Sequence, residues 1–397
     1  MLLGEENPAN FALTLLGFLY WGGTLWLMSL RYDIGFLGGG QLARMSIQAA
    51  QRAGLKCLSL DPSLESPASQ IAPSIRGELK DVEKIAEVLR ACDHVTLENE
   101  FILVDDIQKA CELAKVPEKI IVPGLHSLHL IQDKLRQRRA MMKAGVPSPN
   151  AVELSGDGEQ AIAEIGFPMV LKVRFGGYDG KGTYYAKTLE DLIKLKPTWS
   201  QGGWLAEQFV PFKREIAVMV YADSDSVGCF PTMETVQTDH VCDLVFPAGV
   251  DASAVAIAAV EAIDGKGLYG VEMFELSDGS FQINEIAPRP HNTGHYTLDW
   301  GGVSQFEQHV RLVMAWPTVP PHGRETCMAN LLGKLPSGNH VQAIQDAISV
   351  PEVFFHWYGK IDAKAGRKMG HLNAVGTDSV KRAIQAREHF YRAWTTV

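Results

Sequence analysis

The sequence predicts an α/β and α+β protein with an N-terminal doubly wound parallel-sheet domain, a larger central domain and a small C-terminal β-rich domain. The chain has 397 residues, which is enough for roughly two or three domains of typical size. After Tyr32, short apolar runs alternate with segments of helical periodicity, as in parallel sheets. From about residue 150, strand-like segments follow one another through tight turns, which indicates antiparallel or mixed sheet.

Residues 1–30 form an apolar extension that we expect to be non-native or a misassigned start. No charged residue occurs between Asn7 and Leu30, so this segment is long enough to be a membrane-span candidate. It lies directly before the first predicted core strand, which would press a folded domain against the lipid headgroups. Translation from Met28 would give "MSLRYDIGFLGGG", an ordinary start for an α/β protein. A membrane anchor and an additional packed helix are the alternatives, and membrane association is not expected.

The doubly wound domain is predicted over residues 31–127 and begins with a strand, a glycine loop and a helix. Gly38, Gly40 and Ala43 fit the pattern G-x-G-x-x-[GA], and Asp61 follows about twenty residues later at the end of the next predicted strand, as in the dinucleotide-binding fingerprint. A nicotinamide-dependent oxidoreductase is therefore one interpretation of this region. The helix "VEKIAEVLRAC" and the strand "HVTLENE" continue the alternation.

The central domain is predicted over residues 128–320 and opens with one helix, "LHLIQDKLRQRRAMMKAGVP". The segment "VLKVRFGGYDGKGTYY" then predicts a hairpin with a glycine-rich loop. Glycines allow backbone N–H groups to approach phosphate oxygens, and Lys172 and Lys181 could neutralise their charge. The loop lacks the G-K-[ST] sequence that opens a helix in a Walker A motif. A simple tight turn is the alternative.

Two glutamates on neighbouring predicted strands form a candidate metal site. Glu272 and Glu285 lie on either side of a turn at Asp278–Gly279, so a hairpin can bring them to one face. Their strands are otherwise apolar, and buried carboxylates need partners. Because Mg²⁺ is often held by one or two carboxylates and substrate phosphates, the pair favours magnesium over two solvated side chains.

The C-terminal domain, predicted over residues 321–397, contributes a basic loop within "YGKIDAKAGRKMGH". A polar loop of the central domain, "EIAPRPHNTGHY" (residues 285–296), is stiffened by two prolines. A local basic excess in an acidic protein suggests a bound phosphate or carboxylate, and a solvated turn is the alternative.

Overall charge and cysteine usage restrict the partners and the compartment. The formal net charge of −9 is unlike that of proteins that bind nucleic acid through its backbone, so we expect no nucleic-acid partner. The 6 cysteines form no C-x-x-C pair and no zinc-like cluster, which indicates reduced thiols and a cytoplasmic location.

The order of these motifs resembles the ATP-grasp superfamily and, within it, the N5-carboxyaminoimidazole ribonucleotide synthetases. The resemblance depends on "GGYDGKG" joined to "NEIAPRPHNTGHY" and extends roughly from Ile34 to Ala374. It implies an ATP-grasp fold, a homodimer, and carboxylation of 5-aminoimidazole ribonucleotide by bicarbonate and ATP through carboxyphosphate, which releases ADP and phosphate. A different ATP-grasp ligase, such as a formate-dependent purine formyltransferase, is a closer alternative than the nicotinamide-dependent oxidoreductase.

The resemblance also implies the nucleotide site. Mg²⁺ would be held by Glu272 and Glu285, and position 287 is Ala where many ATP-grasp enzymes have a third ligand, Asn. ATP would contact Lys134, Lys172, Gly177, Gly180, Lys181, Gly182, Glu207, Phe209, Val210, Glu215 and Asn284.

By the same resemblance, Asp179 would be the catalytic base and Lys360 its cationic counterpart, while Arg289 and His291 would act on bicarbonate or its phosphorylated form. The remaining substrate contacts would be Gly40, Gln41, Leu42, Glu98, Glu100, Tyr178, Asn292, His295, Lys364, Arg367 and Lys368. The sequence departs from the family pattern at Ala43, after Glu100, and at Lys364–Ala365. The departure after Glu100 leaves open which of Glu98 and Glu100 contacts the substrate, and the departure at Lys364–Ala365 leaves open the phosphate contacts of that loop.

Overall fold

The computed structural model describes residues 31–177, 180–334 and 338–395. The expectations for residues 1–30, for Tyr178 and for Asp179 lie outside these ranges. The described residues from Tyr32 onward form one compact unit. Within the described ranges, no helix combines the length and the apolar character needed to cross a membrane.

The N-terminal region contains the predicted parallel sheet. Its five strands have the order β3-β2-β1-β4-β5, and every neighbouring pair is parallel. The sequence pattern "HVTLENE" predicts a strand that includes Glu98 and Glu100. β4 ends at Leu97 instead, so both glutamates lie in the loop at its carboxyl end. The elements are β1 Tyr32–Leu37, α1 Gln41–Arg52, β2 Cys57–Asp61, β3 Ser74–Arg76, α2 Val82–Ala91, β4 Cys92–Leu97, α3 Val104–Ala114 and β5 Ile121–Val122.

The single helix predicted at the start of the central region is wrong, because the chain forms two helices there: α4 Leu125–Gln132 and α5 Lys134–Ala144. Asp133 separates them in extended conformation, and its side chain accepts a hydrogen bond from the Leu135 N–H as the N-cap of α5. The break places Lys134 at the beginning of a helix.

A four-stranded antiparallel sheet with the order β6-β9-β7-β8 contains the glycine-rich hairpin. Its apolar face packs against two helices around the buried Trp199. The elements are β6 Ala151–Leu154, α6 Glu159–Glu164, β7 Met169–Val173, β8 Thr183–Ala186, α7 Leu189–Trp199 and β9 Trp204–Gln208.

A nine-stranded antiparallel sheet extends from the central region into the C-terminal region. Its order is β15-β14-β10-β12-β13-β16-β18-β17, with β11 on the side of β10, and the register of Leu244 with Ala329 joins β13 to β16. The strands are β10 Phe212–Ala222, β11 Val227–Cys229, β12 Met233–Thr238, β13 Val241–Pro247, β14 Gly267–Leu276, β15 Phe281–Ala287, β16 Thr326–Leu332, β17 Val353–Trp357 and β18 Lys368–Val375. The helices that cover it are α8 Ser253–Glu261, α9 Gln305–Val313, α10 His340–Ile348 and α11 Ser379–Trp394.

Candidate active site

Glu272 on β14 and Glu285 on β15 are direct cross-strand partners, as the hairpin pattern predicts. Their side chains keep 28% and 41% of their surface exposed, so they line an open face and are not sealed in the core. Partial burial and the neighbouring carboxylates of Glu285 and Glu215 raise the pKa of Glu272 to about 8. Two carboxylates that repel each other in this way form a site that attracts a cation.

Two lysines approach this carboxylate pair from different elements. Lys134, the first residue of α5, donates from Nζ to Glu285 Oε1 at 2.6 Å. Burial would raise the pKa of Glu285, but the Lys134 charge and hydrogen bond hold it below its usual value. Lys172 on β7 donates to Asn284 Oδ1 at 3.2 Å and pairs with Glu207 Oε2 at 2.5 Å.

The buried carboxylate of Glu207 is shared by two cations, one of which the sequence analysis missed. Arg138 donates from Nε to Glu207 Oε1 at 2.5 Å and from Nη2 to the Asn284 carbonyl oxygen at 2.5 Å. Burial alone would raise the pKa of Glu207, but Arg138 and Lys172 lower it to about 2. Arg138 follows Lys134 by one helical turn on α5, and this spacing was the available sequence signal.

The described ends of the glycine-rich loop need glycine for steric reasons. Gly182 has a φ of +79°, and a Cβ there would overlap the Val173 side chain. A Cβ on Gly177 would lie 3.0 Å from the Lys181 carbonyl oxygen, and one on Gly180 would lie 2.7 Å from Cβ of His240. The loop therefore turns tightly beside the end of β7.

Three of the residues predicted to contact ATP, Glu207, Phe209 and Val210, lie at or directly after the end of β9. Phe209 is 37% exposed and lies edge-on to Tyr185, and the two residues line a cavity of about 260 Å³ together with Pro168 and Lys187. Val210 directly follows Phe209 and is nearly buried. Glu215 lies on β10 in register with Phe274, and burial raises its pKa.

The glycine loop of the N-terminal sheet contacts a carboxylate of its own chain. Gly40 is the N-cap of α1, a Cβ there would overlap the Glu98 carboxylate, and the Leu42 N–H donates to that carboxylate. Gln41 is the first residue of α1. Asp61 accepts a hydrogen bond from the loop itself, from the Gly39 N–H at 2.9 Å. The Asp61 carboxylate therefore stabilises the loop. In the dinucleotide-binding fingerprint, the acidic residue at this position would instead bind a ribose hydroxyl.

Arg289 joins the polar loop to the N-terminal region. Its guanidinium donates to both carboxylate oxygens of Glu100, at 2.5 Å from Nε and 2.9 Å from Nη2. The Arg289 and Lys360 charges also act on Glu98, where burial is the stronger effect and raises the pKa. The two loop glutamates therefore differ: Glu100 is the bidentate partner of Arg289, and Glu98 contacts the start of α1.

The histidines of the polar loop are neutral and hydrogen-bonded. His291 Nε2 lies 3.7 Å from Glu272 Oε1, and His291 Nδ1 lies 2.9 Å from the Thr293 hydroxyl. His295 Nδ1 accepts from Gln305 Nε2 at 2.8 Å. Burial lowers the pKa of both histidines well below the usual value. Asn292 is part of a buried amide pair with Asn330.

The C-terminal basic residues divide into two groups. Lys360 donates to the Lys368 carbonyl oxygen at 2.6 Å, and the Lys368 charge acts on both His291 and Glu272. Lys364 and Arg367 are exposed, and each contacts Asp362 in its own loop. Lys364 Nζ lies 3.9 Å from a carboxylate oxygen of Asp362. Arg367 donates to the Asp362 carbonyl oxygen at 3.2 Å. The structure thus brings Lys368 toward Glu272 and Lys360 toward Glu98.

The chain matches known families over almost its whole described length. Residues 32–132 match the family profile of the ribonucleotide synthetase preATP-grasp domain, residues 139–306 that of the ATP-grasp domain, and residues 326–385 that of the phosphoribosylaminoimidazole carboxylase C-terminal domain. The N5-carboxyaminoimidazole ribonucleotide synthase of Synechococcus elongatus is 35% identical over 369 residues, which cover 89% of this chain and 92% of that protein. The chain belongs to the N5-carboxyaminoimidazole ribonucleotide synthase family.

Solved structures of this ATP-grasp ligase family have the same fold. The carboxyaminoimidazole ribonucleotide synthase of Aspergillus clavatus, in complex with ATP, is 32% identical with a TM-score of 0.82 and covers 92% of this chain and 100% of that one. A second structure from that organism, with the same scores, is a complex with ADP and 5-aminoimidazole ribonucleotide. The phosphoribosylaminoimidazole carboxylase of Schizosaccharomyces pombe is longer: it is 36% identical, and the match covers 88% of this chain but 66% of that protein. These similarities confirm the predicted ATP-grasp fold and argue against the nicotinamide interpretation of the glycine loop.

Proposed function

We propose that the chain catalyses the ATP-dependent carboxylation of 5-aminoimidazole ribonucleotide by bicarbonate, giving N5-carboxyaminoimidazole ribonucleotide, ADP and phosphate in purine biosynthesis. The observation that best supports this is the Glu272–Glu285 pair with Lys134 beside it, in a chain of the N5-carboxyaminoimidazole ribonucleotide synthase family. ATP transfers its γ-phosphoryl group to bicarbonate, and the resulting carboxyphosphate, or CO₂ released from it, is attacked by the amine of the ribonucleotide.

The donor set at Glu272 and Glu285 fits magnesium. Mg²⁺ prefers oxygen ligands and is commonly held by one or two carboxylates and the substrate phosphates. The described residues contain no cluster of three or more His, Cys, Asp or Glu side chains suited to a metal, so two carboxylates are the set available here. When bound, Mg²⁺ would neutralise charge on the phosphate oxygens.

The lysines would bind and orient the phosphates. Lys134 and Lys172 approach from different elements, α5 and β7, and their ammonium groups can neutralise the oxygens of the transferred phosphoryl group. Lys181 and the backbone of Gly177, Gly180 and Gly182 would bind the same phosphates. The adenine would lie beside Phe209 and Val210, with Glu207, Glu215 and Asn284 completing the nucleotide site.

The ribonucleotide would bind where the polar loop meets the N-terminal and C-terminal regions. The charges of Arg289 and Lys360 both act on Glu98 there. His291, being neutral, can donate or accept a hydrogen bond to bicarbonate without adding charge. We propose further contacts from Gly40, Gln41, Leu42, Glu100, Asn292, His295, Lys364, Arg367 and Lys368.

Carboxylation releases a proton from the attacking amine, and we propose Asp179 as the base that accepts it. Tyr178 would orient the aminoimidazole, and Lys360 would stabilise the developing negative charge. These roles rest on the family motif "GGYDGKG", since both loop residues lie outside the described ranges. The homodimer and the cytoplasmic location likewise stay predictions.

The function is tested by following ADP release with ATP and Mg²⁺ while bicarbonate and 5-aminoimidazole ribonucleotide are added singly and together. We expect ADP release to depend on the ribonucleotide and to match carboxylated product. Release that depends on formate would support a formyltransferase instead. An Asp179→Asn arm should lose carboxylation and keep nucleotide binding; turnover that survives this change would exclude Asp179 as the base.

Binding of Mg²⁺ should strengthen as the pH rises from 7 to 9. The pKa of Glu272 is about 8 in the free protein. A proton must therefore leave this carboxyl before it can act as a ligand at neutral pH, and this cost disappears above the pKa. The measurement is a Mg²⁺ titration at several pH values with a non-hydrolysable ATP analogue. In Glu272→Gln this pH dependence should be absent, and an equal dependence in both proteins would contradict the assignment.

Replacing Gly40 by Ala should weaken ribonucleotide binding without unfolding the protein. The new Cβ would displace the carboxylate end of the Glu98 side chain, and the nearest atoms that it would meet are not backbone. We expect the KM for 5-aminoimidazole ribonucleotide to rise about tenfold, as for the loss of a hydrogen bond to a charged group. Gly124→Ala is the matched control, because Gly124 is also a helix N-cap and has open space at its Cβ. Equal KM values in the two variants would show that Glu98 does not contribute to binding of the ribonucleotide.

A further inference from the structure

We infer that Asp133 and Arg174 are positioning residues that orient Lys134 toward the nucleotide phosphates, an inference that rests on the proposed function. Neither residue belongs to the site described above. Asp133 lies between α4 and α5, and Arg174 directly follows the last residue of β7 at the root of the glycine-rich loop.

The two side chains form a bidentate ion pair in which the Asp133 carboxylate is fully buried. Arg174 donates from Nε to Asp133 Oδ1 at 3.0 Å and from Nη2 to Asp133 Oδ2 at 2.5 Å. The Asp133 side chain has no exposed surface, and that of Arg174 is 16% exposed. Such fork-like pairs fix direction as well as distance. The pair therefore sets the angle between the start of α5 and the end of β7.

The main chain joins the same two places. The Lys134 N–H donates to the Arg174 carbonyl oxygen at 3.0 Å, and the Arg174 N–H donates to the Gly203 carbonyl oxygen at 2.9 Å. The first peptide of α5 is thus held both by the Asp133 side chain and by the backbone of Arg174. These two contacts constrain the backbone at Lys134.

Lys134 transmits this geometry to the carboxylate pair. Its backbone is fixed by the Asp133–Arg174 contacts, and its Nζ lies 2.6 Å from Glu285 Oε1. Its Cε would lie 3.8 Å from a Cβ on Gly177, so the side chain passes directly beside the glycine-rich loop. A change in the ion pair should consequently move an ammonium group at the phosphate site.

Arg174 also provides a built-in comparison. Its Nη1 pairs with Glu153 at 2.7 Å, and the Glu153 side chain is 48% exposed. Glu153 lies on β6 and does not contact α5 through this pair, so its loss removes a salt bridge from the same guanidinium without touching the link to Lys134. Exposed ion pairs contribute little to the free energy of folding.

The test compares Asp133→Asn with Glu153→Gln. Asparagine is as good an N-cap as aspartate, so the first variant removes the charge of the pair and keeps the cap of α5. Isothermal titration with a non-hydrolysable ATP analogue and Mg²⁺ gives the nucleotide Kd, ADP release gives kcat, and thermal unfolding gives Tm. We expect Asp133→Asn to raise Kd and lower kcat by about tenfold each, the scale of one hydrogen bond to a charged group. Glu153→Gln should change both by less than about twofold.

Arg174→Lys is the second variant in case Asp133→Asn does not fold. It keeps the positive charge and loses the two-pronged geometry, so a positioning role predicts a similar loss of nucleotide affinity. A lower Tm with Kd and kcat unchanged in both variants would overturn the inference and leave the pair a purely structural one. If the wild type binds the analogue but forms no carboxylated product, the proposed function fails, and the Kd comparison still decides the role of the pair.

Discussion

Replacement of Glu285 by Gln should lower the rate of ADP formation by roughly 100- to 1000-fold, the range found when one preorganised electrostatic group is removed from a transition state. Glu285 faces Glu272 across the hairpin and accepts the Lys134 ammonium at 2.6 Å. The amide would leave the cation site with one ionisable ligand and would leave Lys134 without its anionic partner. The bound cation and the Lys134 ammonium would therefore no longer be held in place beside the phosphates.

The measurement is kcat for ADP release under saturating substrates, with the Mg²⁺ concentration varied. Glutamine has nearly the shape of glutamate, so the hairpin should persist and Tm should change little. Asp278→Asn is the control, because Asp278 is exposed at the turn of the same hairpin, away from the pair. A Glu285→Gln protein with near wild-type kcat would show that the metal site lies elsewhere.

The pairing of the two glutamates was predictable only in part. The turn at Asp278–Gly279 and the apolar strands on either side define a hairpin. In the register that pairs Phe274 with Gln282, however, Glu272 would face Asn284. A bulge between Glu272 and Met273 shifts the partner to Glu285. Since side chains alternate between faces, this single extra residue decides which polar groups share a face, and the hydrophobic pattern does not specify it.

The parallel N-terminal sheet and the basic loops followed from local patterns, whereas the links between regions did not. Periodicity defines which face of a helix is apolar, but it does not say which distant charge an arginine will meet. Arg138 and Glu207 are far apart in the chain, and so are Asp133 and Arg174. Their pairing depends on how α5 lies against the four-stranded sheet. The glycine loop shows the same limit, because its pattern favours a ligand at the N-terminus of α1 but does not indicate that the Glu98 carboxylate lies there.

Arg138→Met should destabilise the protein by about 3 kcal/mol, because removal of one partner leaves a buried carboxylate under-compensated. The side chains of Arg138 and Glu207 are 5% and 3% exposed, so water cannot replace the lost guanidinium. Lys172 would remain as the only strong partner of Glu207 among the residues described. Its ammonium group would be drawn more firmly to Glu207 and away from the phosphates, so kcat should fall as well.

The pH dependence of this loss has a definite sign. The pKa of Glu207 is lowered from 4.5 to about 2 in the folded protein. A carboxyl with a lowered pKa contributes stability above its unfolded value, and this contribution is lost as the pH falls through the folded value. The stability difference between wild type and Arg138→Met should therefore be full at pH 7 and shrink between pH 4.5 and 2. Urea unfolding at pH 7 and at pH 3 to 4, followed by tryptophan fluorescence, measures it.

Arg139→Met provides the matched control, since Arg139 is the exposed neighbour of Arg138 on the same helix. The substitution removes the same charge and adds the same side chain, so it reports on net charge and helix propensity alone. We expect its unfolding midpoint to stay close to that of the wild type. If both variants unfolded at the same urea concentration, the Arg138–Glu207–Lys172 network would contribute nothing specific. A large difference that does not shrink in acid would instead show that Arg138 acts through packing, because the loss of a buried methylene stem is independent of the protonation of Glu207.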